Sequence, residues 1–438
     1  MNFDDILTQL GEFGLWQKRS SLLLFLPYCG AGINVLIAAF AVMAPRHGYR
    51  CRNSCDGQQF DWNMPGYQLS DVFPSFDNTS SSYDPDNPDY CKFYTAINLS
   101  QSCNFDHSLP VLKCRSGDDF AYEPFEMEST VATDNNLVCE NYFWTIVVDE
   151  FYMLGLFIGS LLFGMLSDKI GRRHTLLVSN LVCAGGNLLG CLMPNHWSYG
   201  LTRILAAAGG QGMCIVPFTM VLEMVGVNKK VPGLSWVTWS TFLVNIINVA
   251  FSFGESLPPM FALALPHWKT YQAAVSSVIL VFSLVWFFLP ESPRWLIAKG
   301  KIDEAKEIIE DAARVNKVKL LDHSFVQSES GTKIEKTVPP VYGFKDMFCK
   351  SQIVITMCLF FCWPVITMLF YGLSLSADKI KMTDNVYLSF ILVSLIEIPS
   401  HIFLPLIIDV VGRKPIFFLT QLIPGICCIT AAFLTPGL

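Results

Sequence analysis

Nine stretches of about 20 apolar residues run through this chain, near 20–43, 142–166, 174–193, 198–224, 234–256, 270–290, 352–375, 386–408 and 416–434. A helix needs roughly 17–25 apolar residues to cross a bilayer core. Within lipid the backbone must satisfy its own hydrogen bonds, so such runs become helices. Only 15% of the 438 residues are charged, well below the roughly 25% of an average soluble domain. The charges collect between the runs. The fold class that follows is an all-α polytopic membrane protein. The run at 234–256 is the least regular, because Asn245, Asn248 and Ser252 interrupt it.

The basic residues orient the spans. Lys18-Arg19, the Lys169 to Arg173 cluster, Lys229-Lys230, Arg413-Lys414 and the Lys-rich segment 291–350 fall on one side. By the positive-inside rule that side is the cytoplasm. The N-terminus (1–19) is then cytoplasmic, with the first run as a signal anchor, and residues 44–141 are extracellular. This outer segment carries 15 Asp/Glu against six Lys/Arg and reads as a solubilising acidic surface. It also holds Cys51, Cys55, Cys91, Cys103, Cys114 and Cys139. An even number of cysteines in an extracellular setting reads as a disulfide framework of undetermined pairing. A zinc site would need more imidazoles than His47 and His107 provide. Asn78-Thr-Ser and Asn98-Leu-Ser are glycosylation sequons in the same segment.

One string recurs. Gly164-Met-Leu-Ser-Asp168-Lys169-Ile-Gly171-Arg172-Arg173 closes the second run, and a shorter copy, Asp409-Val-Val-Gly412-Arg413-Lys414, closes the eighth, 241 residues later. A short basic turn repeated once per half is the mark of a transporter built from two related halves. The division that follows is a six-helix half at 20–290, a cytoplasmic linker at 291–350 and a partial second half at 351–438 with three helices. The linker contains an amphipathic pattern over Asp303–Glu310 and a Ser/Gly/Lys and Pro-rich tether at 328–340. Six spans in one half and three in the other read as a C-terminally shortened chain.

Several motifs together resemble a known family. The repeated Asp168/Arg172/Arg173 loop is similar to that of the major facilitator superfamily. Leu289-Pro-Glu291-Ser-Pro-Arg294-Trp-Leu296 after the sixth run resembles the organic ion and sugar porters. The long cysteine-rich outer loop closing in Asn136-Leu-Val-Cys139, Ala264-Leu-Pro-His-Trp268, Tyr371-Gly-Leu-Ser-Leu375 and Leu395-Ile-Glu397-Ile-Pro399 resemble solute carrier family 22, the organic cation, carnitine and anion transporters. The resemblance implies a 12-span fold, of which about nine spans are present, with a central cavity and alternating access. It also implies movement of small organic cations, carnitine-like zwitterions or anions. Glu397-Ile-Pro is more similar to the cation and carnitine branches. Cation carriers of the family place an Asp one turn before Asp149, where this chain has Ile146.

Candidate binding residues follow from charge and rings inside the runs. Glu397 lies near the middle of the eighth run, where a charge costs a few kcal/mol unless it faces water or a partner. It suits a counter-charge for a cation or a protonatable coupling group, and His401 lies one turn on. Asp149 and Glu150 lie in the outer part of the second run. Gln211, Asn245 and Asn248 are polar inside runs. Trp239, Trp363, Phe370 and Tyr371 offer ring faces to an organic cation, worth about 0.5–2 kcal/mol each. For gating, the resemblance points to Gly164, Asp168, Gly171, Arg172 and Arg173, with Arg203, Glu223, Glu291 and Arg294 as partners and Asp409 and Arg413 in the second copy.

No nucleophile elbow, phosphate-binding loop or zinc-protease motif is present, so the expectation is no enzyme, no metal and no cofactor. There is no basic face for nucleic acid. The partners expected are a small organic ion, the lipid bilayer and a coupling ion, sodium or proton, left open. The functional expectation is a plasma-membrane transporter of small organic cations or carnitine-like zwitterions. For a permanent cation the membrane potential alone supplies drive, about 2.3 kcal/mol per charge per 100 mV. An organic anion transporter of the same family and a non-transporting shortened isoform or regulatory fragment are the alternatives.

Overall fold

The computed structural model describes residues 3–11, 13–44, 49–51, 91–93, 96–99, 102–105, 112–113, 120–122, 127–225, 230–231, 234–318, 348–349, 352–375, 383 and 385–434. Thirteen helices are present among these: α1 Phe3–Leu10, α2 Leu15–Ala41, α3 Val131–Asp134, α4 Phe143–Ile170, α5 Arg172–Gly190, α6 His196–Met224, α7 Trp239–Ala264, α8 Trp268–Phe282, α9 Pro293–Ala298, α10 Ile302–Asn316, α11 Ile353–Leu375, α12 Val386–Val411 and α13 Arg413–Leu434.

Nine of these stand where the nine apolar runs are. Seven are long and apolar enough, by length and composition alone, to cross a membrane. The other two, α5 and α13, open on Arg172-Arg173 and Arg413-Lys414. In the 19 residues of α5, Asn180 and Asn187 also face the protein interior. The chain is a multi-pass membrane protein, and α5 is shielded by its neighbours.

The fifth span differs from its sequence reading. Leu234–Thr238 is the second strand of a two-stranded antiparallel ribbon with Lys230–Val231. Its Leu-Ser-Trp-Val-Thr alternation suits a strand. The Thr238 hydroxyl accepts from the Thr241 N–H at 3.3 Å and caps α7. The span therefore lies at 239–264 and not at 234–256.

Small residues let the helices touch backbone to backbone, the usual packing mode where lipid removes the hydrophobic drive between helices. At the crossing of α2 and α7, a Cβ on Gly32 would meet the Phe251 carbonyl, and one on Gly254 would meet the Cys29 carbonyl. α2 is the buried axis of the bundle: 72% of its most apolar stretch is buried, against 6% in α11 and 11% in α12. The latter two meet the rest of the protein along one seam, where α12 packs on α7.

The 44–141 segment contributes short antiparallel strand pairs: Tyr49–Cys51 with Phe120–Tyr122, Lys92–Phe93 with Leu112–Lys113, and Ala96–Leu99 with Ser102–Phe105. Cys91 and Cys139 form a disulfide. Cys51, Cys103 and the Asn98 sequon fall in these strands, while Cys55, Cys114, Asn78 and the 328–340 tether lie outside the described residues. The segment docks on the bundle through Trp268, whose indole N–H donates to Asp134 at 2.9 Å, and through Thr130, whose hydroxyl donates to the Met43 carbonyl at 2.8 Å. In the linker, Ser292 caps α9, whose first residue is Pro293. Asn316 at the end of α10 holds the N-terminal segment: its amide donates to the Leu10 carbonyl and the Gln17 side chain, both at 3.0 Å.

Candidate functional site

Two constellations stand out, one inside the bundle and one at its basic end. The inner one lies on the seam between α7 and α12. Glu397 is the twelfth of 26 residues in α12. Ser252 of α7 donates to its Oε2 at 3.0 Å. One turn on, Glu255 is 1% exposed, and its Oε1 has no hydrogen-bond partner. Ser252 and Glu255 share a face of α7 at i,i+3, and Glu255 lies within electrostatic reach of Glu397. Among the described residues no Lys or Arg forms an ion pair with either carboxylate.

Aromatic rings stand on the neighbouring helices, and Tyr371 lies within electrostatic reach of Glu255. The Tyr28 hydroxyl of α2 donates to the Asn248 side chain at 3.0 Å. Phe251 lies edge-on to Tyr28 and tilted against Phe370, at ring separations of 6.0 and 6.3 Å. Tyr371 lies edge-on to Tyr152 at 6.5 Å. Contacts lie above and below the pair. Phe40 packs on Tyr387 and Phe390 toward the far end, at 5.6 and 5.0 Å. Toward the basic end Phe13 stacks on Trp239 at 4.0 Å, and the Thr238 N–H donates to Asp409 Oδ2 at 3.3 Å.

The structure thus gathers Glu397, Asn248, Phe370 and Tyr371 into one region. It removes three expected members. Trp239 belongs to the closure at the basic end, because it opens α7 instead of lying inside it. Trp363 is 64% exposed on the outer face of α11. Asn245 turns back to the Thr241 carbonyl of its own helix. Gln211 is half-buried on α6. Asp149 is half-buried within electrostatic reach of Arg203, and Glu150 points outward and is exposed. His401 is half-buried one turn beyond Glu397.

Arg203 also moves. It is 20 residues from Glu223 along α6, about 30 Å at 1.5 Å per residue, so it cannot serve the loop at the basic end. It is fully buried, donates to the Asn187 side chain at 3.1 Å and packs over the Tyr152 ring at 4.7 Å. Asn187 in turn donates to Asn34 at 2.8 Å. This buried polar knot ties α2, α4, α5 and α6 together.

The second constellation is the repeated loop. Gly171 turns the chain between α4 and α5 at φ +101°. Arg172 reaches Glu223 with two donors, at 2.8 and 3.2 Å, and Asp168 and the Ser167 carbonyl with a third, at 3.0 and 2.8 Å. Glu291 accepts from the N–H groups of Arg172 at 2.9 Å and Arg173 at 3.2 Å, placing a carboxylate at the N-terminus of α5. Trp295 donates to the Asp168 carbonyl at 3.0 Å, and Arg173 lies over the Trp286 ring at 4.4 Å. Arg294 is half-buried on α9. Gly164 has open space where a side chain would go, and Arg413 of the second copy is exposed.

Sequence reading missed Glu255, Ser252 as a Glu397 partner, and the Asn34/Asn187 knot. Glu255 lies one residue inside the end of the run read at 234–256, whereas the helix continues to Ala264.

The family described as "Sugar (and other) transporter" matches residues 95–437. An organic cation transporter protein of Drosophila melanogaster is 28% identical over 441 residues, covering 99% of this chain and 75% of that protein. Solute carrier family 22 member 2 of Homo sapiens is 28% identical, covering 99% and 76%. Member 1 of Bos taurus is 26% identical, covering 99% and 74%. Among solved structures, a partially occluded inward open form of the Escherichia coli xylose transporter XylE aligns with a TM-score of 0.45 at 15% identity, over 91% of this chain and 74% of that one. The chain therefore belongs to the sugar (and other) transporter family of the major facilitator superfamily, with organic cation transporters and other solute carrier family 22 members as its relatives.

Proposed function

We propose that this chain carries small organic cations or carnitine-like zwitterions across the plasma membrane by alternating access, with Glu397 as the counter-charge. One observation carries the reading: a carboxylate midway along an apolar helix, at the seam where the two halves meet, with ring faces on the neighbouring helices and no cationic partner among the described residues. A buried charge without a partner is strongly unfavourable. A substrate bearing a positive charge supplies the missing partner, and aromatic faces suit its alkyl groups and charge together. The names of the relatives fit the same chemistry. An anion carrier would need a cationic side chain instead; Arg203 gives one N–H to Asn187, lies over the Tyr152 ring and leaves its Nε and Nη2 unpartnered, so the anion arm of the test below decides between the two.

In this reading the basic end faces the cytoplasm, the strand-bearing segment is extracellular, and Asn98 and Asn78 carry glycans. The contacts at Phe40–Tyr387 and Thr238–Asp409 open in turn. The test is uptake of labelled tetraethylammonium, of carnitine and of a small organic anion into cells expressing the chain. Glu397→Gln is expected to lower cation uptake by roughly tenfold or more, the worth of one ion pair, with surface amount unchanged. Uptake unchanged by the substitution, or uptake of the anion alone, overturns the reading.

A further inference from the structure

The N-terminal segment is built into the basic end more firmly than a leader to α2 requires. α1 packs on α10 of the linker, with Ile6, Leu7 and Leu10 buried on one side and Ile309, Ala312 and Ala313 on the other. Gly11 then turns the chain at φ +90°. Asn316, the last residue of α10, grips the turn with its whole amide. Its Nδ2 donates to the Leu10 carbonyl and to Gln17 Oε1, both at 3.0 Å, and its Oδ1 accepts from the Trp16 N–H at 2.9 Å. Gln17 Oε1 also accepts from the Gly14 N–H at 3.0 Å. A Cβ on Gly14 would strike the Asn316 side chain, so the loop comes this close only because that residue is glycine.

What the loop presents is Phe13. Its ring stacks on Trp239 at 4.0 Å, and Lys18 Nζ lies over it at 5.3 Å. Trp239 is the first residue of α7 and has Phe242 edge-on at 5.9 Å. The residue before it, Thr238, gives its N–H to Asp409 of α12. A line of contacts thus runs from the linker, through Asn316 and Phe13, to the hydrogen bond that joins α7 to α12 at the basic end.

We propose that the segment from α1 to Gln17 is a strap that holds the basic end closed, with Phe13 as its contact and Asn316 as the positioning residue that ties it to the linker. This rests on the alternating-access reading above. A ring stacked on Trp239 restricts the first turn of α7 and keeps the Thr238 N–H aimed at Asp409. When the strap lifts, that restriction goes, and α12 separates from α7 more easily at this end. One stacked pair is weak enough to break and re-form in every cycle. The linker runs on to the second half from Lys317, the residue after the amide that sets Phe13. A change in the linker therefore reaches the seam through Asn316, with no contact to the substrate. The strap sets how much of the carrier is open at the basic end, not what the carrier binds.

The experiment uses the full chain in detergent with a cysteine placed at Ser240, and reads how fast a maleimide labels it; the chain with Ser240 intact sets the background. Phe13→Ala should raise the labelling rate roughly fivefold, the worth of one stacked ring pair, with thermal unfolding unchanged. Phe13→Trp keeps a ring on Trp239 and should restore the slow rate. Asn316→Ala should raise the rate in the same direction. The double variant should label no faster than Phe13→Ala alone, because both changes act through one contact. Labelling unmoved by Phe13→Ala while Asp409→Asn raises it overturns the strap and leaves the moving seam intact. Effects of Phe13→Ala and Asn316→Ala that add in full also overturn it, since Asn316 would then act apart from Phe13. Labelling unmoved by Phe13→Ala and by Asp409→Asn defeats the alternating-access reading, and the strap with it. The Phe13 variants decide even if Asn316→Ala does not fold.

Discussion

The two copies of the loop share a sequence pattern and differ in what they hold. In the first copy every partner lies within the first half and the start of the linker: Arg172 joins Asp168 to Glu223, and Glu291 caps α5 from beyond the sixth span. In the second copy Asp409 reaches across the seam to the Thr238 N–H at the start of α7. The first is a staple inside one rigid body. The second, on the alternating-access reading proposed above, is a latch between two. A bistable carrier needs both, because halves that rock must stay rigid within themselves and separable from each other. The repeat thus supplies one geometry, and the neighbours decide its task.

The difference is sharpest at the two turning glycines. Gly171 and Gly412 have φ of +101° and +94°, in a region essentially restricted to glycine. A Cβ on Gly171 would also strike the Glu291 carboxylate, whereas one on Gly412 would meet only Pro415, at 3.8 Å. Gly171→Ala is expected to remove nearly all folded protein from the surface, combining backbone strain of about 1–3 kcal/mol with disruption of the α5 cap. Gly412→Ala is expected to retain most of it. Surface labelling together with thermal unfolding in detergent measures both, and equal losses would mean the copies are equally loaded.

Next in size is the staple. Arg172→Ala removes from the mostly buried Glu223 carboxylate the guanidinium that reaches it twice, and stranding such a partner costs about 3–5 kcal/mol. Arg172→Lys keeps the charge but not the fork that reaches Glu223 twice, and should fall between. Uptake per surviving surface molecule is expected to stay near wild type. A fall in turnover without a fall in stability would move the first copy into the latch class.

Much of this was legible beforehand. The nine helices lie where the apolar runs are, and the partners Glu223 and Glu291 are charges adjacent to span ends. Faces were not legible. α4, α11 and α12 are apolar nearly all round, and such a helix gives no indication of which side meets protein. Trp363 was therefore indistinguishable from Phe370 in sequence, yet one points outward and the other to the site. Glu255 lies one residue inside the end of the expected run, which stops eight residues short of the helix end, because the strand at 234–238 is as apolar as a helix start. The Cys91–Cys139 pairing is one of many that six cysteines allow. Long-range geometry, not composition, selects it.

The smallest effect bears most directly on function. Asp409 accepts one exposed hydrogen bond at the N-terminus of α7, where a negative charge also meets the helix dipole. Removing that charge costs about 1 kcal/mol, too little to unfold a bundle but enough to shift a two-state equilibrium roughly fivefold. Asp409→Asn should therefore leave thermal stability within about 1 °C and raise the fraction of carriers open at the basic end, read by labelling of a cysteine placed at Ser240. Asp168→Asn offers the control. Its side chain is 76% exposed and shares Arg172 with Glu223, so its loss is screened by water and compensated by its neighbour. Labelling at Ser240 should not change. If Asp168→Asn opened the basic end as much as Asp409→Asn, the first copy would also span the seam, and the division into staple and latch would fall.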